Sequence, residues 1–442
     1  MAIADLAPAT PRGIDDLILE DPERFRFKVH RSALTSQEVF DLEMRAFWER
    51  EWLYLGHSSE LPRPGDFVRR TLAGRELIFC RSTDGQLRAF LNACPHRGTI
   101  VCRETSGNGR FFTCFYHAWS FENSGRLVAL PGPESYTDVE ALKDELSLRP
   151  VPRLGEYRGF VFASFATEGP SLEAALGSAT DSLDRIVDQS PDGVEVVRGT
   201  HAYTSRTNWK LSVENALDGY HFAPTHQTFI EYRKSSGYKP QTDIGTWADL
   251  GGGHVIMESR GLYGRSGLDW EPAWGEDERV RIEAVRAELR ARLGAERATQ
   301  VSDWSRNTFV FPNLLLFDFA GISVRTLEPV APGVTQVRAH ELAPVGEPPA
   351  ARRLRLDNLL TFVGPGGFAT PDDIEAQQDA QIGLETSVTD VRIGVPWSDI
   401  SRGYERELAG LETDAFDEGH VRTFWRHWRD RLAAAEREES TR

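Results

Sequence analysis

The chain has 442 residues, 40% of them hydrophobic and 11 of them tryptophan, enough for a sizeable core and more than one domain. Its 67 acidic against 51 basic residues leave a formal net charge of −16, a poor electrostatic footprint for nucleic acid or an anionic membrane surface. No run of about 18 apolar residues is present to span a bilayer, and four cysteines do not make a disulfide framework in a chain this long.

The start, MAIADLAPATPRGIDDLILED, lacks the basic and apolar regions of a secretory signal, so a reducing cytoplasm is the expected compartment. Thr35-x-x-Glu38 then predicts a capping box opening a helix through Arg50, with Val39, Leu42 and Phe47 apolar. After Trp52 come short strand-like runs, Asp66–Leu72, Glu76–Cys80 and Leu87–Asn92, separated by turns at Ala73-Gly74 and Asp84-Gly85. This β segment is expected to end near Phe165. Ser171–Gln189 predicts a helix and Glu276–Gly294 a solvated amphipathic one; Asn307–Asp318, Gly321–Glu328 and Val334–Leu342 predict strands. Asp414–Glu438 reads as a helix whose stripe of Phe424, Trp425 and Trp428 packs into the core. The expected class is α+β, with a small all-β domain at residues 40–165 and a larger α+β domain from residues 1–39 and 166–442.

Inside the β segment, Cys94-Pro95-His96-Arg97-Gly98 is followed, after an interval of seventeen residues past His96, by Cys114-Phe115-Tyr116-His117. Two thiolates and two imidazoles suit a tetrahedral structural zinc. Two short pairs on separate loops also suit a two-iron cluster, with both thiolates on one iron and both imidazoles on the other. Neutral imidazoles in place of thiolates raise the reduction potential and make such a cluster a moderate electron relay. Cys80 and Cys102, left over, read as buried apolar residues.

Cys94 to Trp119 resembles the Rieske iron–sulfur motif of ring-hydroxylating oxygenases. Downstream, Asn208-Trp209-Lys210-Leu211-Ser212-Val213-Glu214-Asn215-Ala216-Leu217-Asp218-Gly219-Tyr220-His221 leads to His226. Two histidines and one carboxylate are the face-capping ligand set of non-heme Fe(II). The carboxylate candidates are Asp372 and Asp373, in the first turn of a helix opening at Thr370-Pro371; simple complementarity to the helix dipole is the alternative reading. Gly364-Pro365-Gly366-Gly367 reads as the lead-in to that helix.

These segments, over roughly residues 40 to 387, are similar to the large (α) subunits of Rieske non-heme iron oxygenases. The group most resembled acts on benzoate, toluate, anthranilate, p-cumate and salicylate. The resemblance implies a catalytic domain with an antiparallel sheet covered by helices. It implies a [2Fe-2S] cluster on Cys94, His96, Cys114 and His117, and mononuclear Fe(II) on His221, His226 and Asp373, with Asp372 as the fallback. Asp218 matches the acid that joins an iron ligand to a Rieske histidine of a neighbouring subunit. Asn215 would approach the iron's open side, Glu214 would support the bridge and Tyr220 would pack.

Electrons from NADH, delivered by a reductase with or without a ferredoxin, would reach the iron through His117, Asp218 and His221. Dioxygen would then convert an aromatic ring to a cis-dihydrodiol, with a monooxygenase or demethylase on an acid such as salicylate as the runner-up. The chain shows no G-x-G-x-x-G after a strand to hold a nicotinamide or flavin itself.

The resemblance also implies an aromatic carboxylate substrate, with Leu217, Phe222 and Ala369 as pocket walls. Arg233, Arg260, Arg265 and Arg325 are the candidate cations, since an unpaired buried carboxylate is costly. The implied assembly is a head-to-tail trimer, joined by small β subunits into an α3β3 hexamer. A bare electron carrier would not need the downstream histidines, and a zinc-stabilised interaction protein would be colourless.

Overall fold

The computed structural model describes residues 11, 13–235, 245–260, 264–386, 396–411 and 414–440; residues 1–10, read above for a leader, lie outside that set. The chain divides into two compact units, Trp48–Ala175 and the stretches flanking it. Among the described residues no helix is long and apolar enough to cross a membrane.

The smaller unit is built from three antiparallel sheets. Leu87–Leu91, Arg75–Arg81, Asp66–Leu72 and Ser106–Asn108 form one, Arg153–Tyr157, Phe160–Ser164 and Leu53–His57 the second, and Leu127–Ala129, Ser120–Glu122 and Phe111–Thr113 the third. The strand at Asp66–Leu72 has the predicted bounds. Ala73 and Gly74, which turn it into the next strand, both have positive φ, 50° and 71°. That is the two-residue hairpin geometry whose twist matches its strands. Phe67, Ile78, Phe90, Phe112 and Phe121 form the core together with all four cysteines.

The larger unit is organised on an eight-stranded sheet. Its order is Val194–Val196, Val334–Pro344, Ile322–Ala331, Leu314–Asp318, Ser305–Val310, His254–Ser259 and Thr246–Gly251, with His201–Ser205 also paired to Val334–Pro344. Two local expectations are corrected here. The strand predicted over Asn307–Asp318 is a hairpin, broken at Phe311–Asn313, where Pro312 has no N–H to continue a ladder. The helix predicted over Ser171–Gln189 is two, Leu172–Leu176 and Ala179–Val187, parted by Gly177 at φ 48°.

The first helix also differs from its sequence reading. Its cap is Ser36, whose hydroxyl accepts from the Val39 N–H, while the Thr35 hydroxyl donates back to the Arg31 carbonyl. The helix Gln37–Glu43 belongs to the larger unit, so the smaller one begins at Trp48 and ends at Ala175, against 40–165 in the sequence-based division. The reason lies in Glu43, which is fully buried. Its carboxylate accepts from Trp209 Nε1 (2.9 Å), Trp428 Nε1 (2.6 Å) and the ammonium of Lys210, itself fully buried. Burial pulls the Lys210 ammonium down from its usual range and Glu43 counteracts it. Three segments remote in sequence thus meet at one carboxylate. The C-terminal helix, Gly419–Ser440, packs Phe424, Trp425 and Trp428 with no exposure, as its stripe predicts.

Replacing Glu43 by Ala strands the buried ammonium and two indole donors. Breaking a buried pair from one side costs about 3–5 kcal/mol, so the melting temperature should fall by roughly 6–20 °C. A Glu43→Ala variant melting within 2 °C of the parent by calorimetry would show that this junction does not hold the unit together.

Candidate active site

Cys94, His96, Cys114 and His117 sit on two loops with one shared backbone scaffold. The Cys94 N–H donates to the Thr99 carbonyl (2.8 Å) and the Gly98 N–H to the Cys94 carbonyl (2.8 Å). In the second loop the Cys114 N–H donates to the Trp119 carbonyl (2.8 Å) and the Ala118 N–H to the Cys114 carbonyl (2.9 Å). The residue four past each cysteine has positive φ, 73° at Gly98 and 57° at Ala118. Buried Asn92 braces the first loop, accepting from the Val101 and Cys102 N–H groups and donating to the Cys102 carbonyl.

Burial, and then the neighbouring Cys114 thiol, push the Cys94 thiol up from its ordinary range. The two imidazoles pair with ring centroids 4.5 Å apart, and His96 stacks on Trp119 at 4.9 Å with its Nδ1 buried and unpartnered. Among the described residues only His221, His226 and Asp373 bring three donor atoms within 4.8 Å of one another. The Cys94 and Cys114 thiols adjoin each other and the His96 and His117 imidazoles adjoin each other, a pairing by donor type that fits a two-iron cluster with the thiolates on one iron and the imidazoles on the other. Cys80 and Cys102 are buried, and burial pushes their thiols to about 12 and about 11, far from thiolate ligands.

The second centre starts from Asn208, whose side chain caps the helix Trp209–Ala216 by accepting from the Lys210 N–H. That helix ends at Leu217, and Asp218-Gly219-Tyr220 turns the chain into His221. Gly219 is required here, because a Cβ would meet the Ala415 carbonyl oxygen at 2.8 Å. His221 and His226 flank the single turn Phe222–Thr225. On the opposite wall, Gly364 to Gly367 fold tightly enough for the Phe368 and Ala369 N–H groups to reach the Thr361 and Phe362 carbonyls, 2.9 and 2.8 Å. The helix Thr370–Glu385 starts there and carries Asp373 in its first turn. Two side-chain bonds dock it on the Trp209 helix, Ser212 Oγ to Gln377 Oε1 (2.9 Å) and the Asn208 N–H to Gln381 Oε1 (3.0 Å).

His226 Nε2 lies 3.1 Å and His221 Nε2 3.4 Å from Asp373 Oδ1. Asn215 Nδ2 donates to the same oxygen at 3.2 Å. Asp372 reaches only 3.7 Å from His226 Nδ1 and its side chain is 43% exposed. Behind His221, Asp218 Oδ2 stands 3.3 Å from Nδ1, and its other oxygen accepts the Tyr220 N–H (2.6 Å). Burial disfavours an imidazolium at His221, but Asp218 and Asp373 on either side outweigh it and bring its pKa to about 9. Burial likewise opposes the Asp373 carboxylate, and the two imidazoles hold it well below the usual range. A set of donors that draws in positive charge this strongly fits a divalent cation.

Glu214 accepts from Trp425 Nε1 (2.6 Å) and burial pushes its carboxyl to about 7. Tyr220 does not pack in the core: it is 52% exposed, its ring covered on one face by Arg402 at 4.1 Å.

A cavity of about 460 Å³ opens onto the triad. Phe222 and Ala369 line it, whereas Leu217, fully buried at the helix C-cap, is not among its lining residues. The walls not foreseen come from the sheet, where Met257 pairs with Asn307 and Asn307 with Phe317, so one face of three strands forms a continuous surface. Phe319 and Phe362 complete it. Of the four arginines proposed from sequence, only Arg325 lines the cavity. Arg233 is paired to Glu271, Arg265 to Asp318 (2.7 Å), and Arg260 lies over the Trp304 ring.

Residues 51–147 match the family model of the Rieske [2Fe-2S] domain, and residues 194–434 that of the ring hydroxylating alpha subunit (catalytic domain). The chain belongs to the ring-hydroxylating oxygenase α subunits. It is an oxidoreductase whose Rieske domain holds a [2Fe-2S] cluster and whose catalytic domain binds mononuclear iron. The toluate 1,2-dioxygenase subunit alpha of Pseudomonas putida is 34% identical over 411 residues, covering 91% of this chain and 87% of that protein. The 2-halobenzoate 1,2-dioxygenase large subunit of Burkholderia cepacia is 30% identical over 422 residues, covering 93% and 88%. Among solved structures, naphthalene 1,2-dioxygenase from Rhodococcus sp. bound to indole matches with a TM-score of 0.79 at 26% identity, over 92% of this chain and 94% of that one.

Asp373→Ala should lose the mononuclear iron while keeping the cluster, so that counted iron falls from about three to about two per chain with acid-labile sulfide unchanged. Asp372→Ala should keep all of it. The reverse pattern would move the ligand by one position.

Proposed function

We propose that this α subunit is the oxygenase component of a system that converts a benzoate-like aromatic carboxylate to a cis-dihydrodiol. The balanced reaction consumes the arene, O2, NADH and a proton, and yields the dihydrodiol and NAD+. The observation that carries the reading is the convergence of His221, His226 and Asp373 on one wall of an aromatic-lined cavity of about 460 Å³. The named substrates of the toluate and 2-halobenzoate relatives support the carboxylate class.

In this reading Cys94, His96, Cys114 and His117 hold the cluster, and His221, His226 and Asp373 hold the iron. When bound, the iron activates dioxygen and the cluster supplies electrons one at a time. Asp218 fixes the His221 ring so that Nε2 faces the site, and it remains 29% exposed, open to an imidazole from outside. Asn215 steadies Asp373 through its amide. Phe222, Phe317, Phe319 and Phe362 hold the ring and exclude water.

We extend the reading to the assembly. A head-to-tail trimer would bring His117 of one protomer to Asp218 of the next, and the names of the relatives, a subunit alpha and a large subunit, favour a small β subunit and an α3β3 hexamer. The electron donors are an NADH-dependent reductase, with or without a ferredoxin, in the cytoplasm.

The test is turnover of benzoate, toluates and anthranilate by the holoenzyme with donor proteins, with products identified by mass and 18O2 labelling. Two labelled oxygens on one ring face are expected; a singly hydroxylated or demethylated product would move the enzyme to the monooxygenases. Asp218→Asn should keep both metal contents and lower coupled turnover at least about 100-fold, of the order expected when an orienting carboxylate is lost. Full activity in that variant would take Asp218 off the electron path.

A further inference from the structure

We propose that Arg325 receives the single carboxylate of the aromatic substrate and so sets the substrate class; this rests on the aromatic-carboxylate reading above. Arg325 lies on the strand Ile322–Ala331 and lines the cavity that contains the iron-site donors. Its guanidinium stacks on Phe317 at 4.9 Å, and Nη2 donates to Thr370 Oγ1 (3.0 Å). Thr370 Oγ1 in turn donates to the Val363 carbonyl (2.8 Å), so the hydroxyl holds the guanidinium in place from below. Thr370 is one helical turn from Asp373, a separation of roughly 5–6 Å between Cβ atoms. Arg325 and Asp373 line the same cavity, so a ring seated there lies between a guanidinium and the iron-site donors.

The charge balance separates Arg325 from the other cations. Arg306 also lines the cavity, but Nη1 is bound to Asp318 (2.8 Å), Nε faces Glu258 at 3.6 Å, and Nη2 is taken up by backbone carbonyls of Gln300 and Trp304. Among the described residues no carboxylate oxygen lies within 4.0 Å of Arg325, and its Nε is buried with no hydrogen-bond partner. Glu341, which acts on it electrostatically from the strand Val334–Pro344, has its own carboxyl pushed up to about 8 by burial, so it is largely neutral at pH 7. One uncompensated guanidinium beside an apolar cavity asks for one anion, and its planar fork suits a carboxylate. A second carboxylate on the ring would be buried without a partner.

The experiment compares anaerobic equilibrium binding of benzoate, benzamide and phthalate by calorimetry in the parent holoenzyme, Arg325→Gln and Arg325→Lys, each checked for three irons per chain. Losing a charged hydrogen-bond partner predicts benzoate binding weakened about 10- to 100-fold in Arg325→Gln. Benzamide should change less than about threefold, and Arg325→Lys should recover part of the benzoate affinity. The parent should bind phthalate at least about tenfold more weakly than benzoate. Equal losses for benzoate and benzamide, or none for either, would overturn the assignment, and phthalate binding as tight as benzoate would overturn the single-carboxylate part. If Arg325→Gln fails to fold, the benzoate-to-benzamide ratio in Arg325→Lys decides by the same criterion. A parent that binds neutral arenes but not benzoate would defeat the substrate class itself, an outcome separate from a parent that binds benzoate and a variant that binds it equally.

Discussion

The docking of the Trp209–Ala216 helix is the constraint on which the catalytic half depends. One end is tied through Trp209 and Lys210 to the buried carboxylate of Glu43, and its flank is tied to Gln377 and Gln381 of the Thr370 helix. The histidines follow this helix directly and Asp373 begins the other, so the polar contacts that lock the helices also set the spacing of the donors. Such buried contacts add little net stability when intact, yet each is expensive to break from one side. They act more to specify one arrangement than to deepen the energy minimum.

Around the second centre the protein has concentrated negative charge and kept it from dispersing. Asp218 and Asp373 face His221 from both sides, and Glu214 lies close enough to Asp218 for their charges to interact. Glu214 avoids adding a third full charge because burial moves its carboxyl towards neutrality. The same device operates at Glu341 near Arg325. Burial thus sorts the acids into those that stay charged because imidazoles face them and those that move towards neutrality because no imidazole does. A cavity with a cation-seeking wall and one guanidinium without a carboxylate partner among the described residues, Arg325, results from that sorting.

The smaller unit solves a different problem, presenting buried thiols and accessible imidazoles from the same short loops. The repeated hydrogen bonds at Cys94 and Cys114 direct both loops alike. His117 lies on the second loop beside the exposed rings of Phe115 and Tyr116, which are 64% and 52% accessible. An electron relay needs such an arrangement, with the thiolates shielded and an imidazole edge within reach of an acceptor.

Much of this is legible in the sequence. The donor types of both centres are read from the residues, and short spacings place the two Cys/His pairs and the His221/His226 pair on local loops or turns, whereas Asp373 reaches the histidines only through the docking of its helix. The hairpin signal at Ala73-Gly74, the proline-led start of the Thr370 helix and the tryptophan stripe of the last helix were equally local. What sequence could not supply was every feature set by pairing across distance. The real cap at Ser36, the hairpin within Asn307–Asp318 and the Glu43 junction each depend on which backbone or side-chain partner wins in three dimensions. Leu217 and Phe222 look alike as neighbours of the ligands, yet the turn sends one to the core and the other to the cavity. Four arginines were equivalent on paper; only the fold decided that Glu271 and Asp318 would pair with two of them, that Trp304 would stack against a third, and that Arg325 would keep its charge facing the cavity. The chemistry of a ligand belongs to its own side chain, whereas the availability of a charge depends on all its neighbours, and those neighbours are chosen by strand register and helix docking.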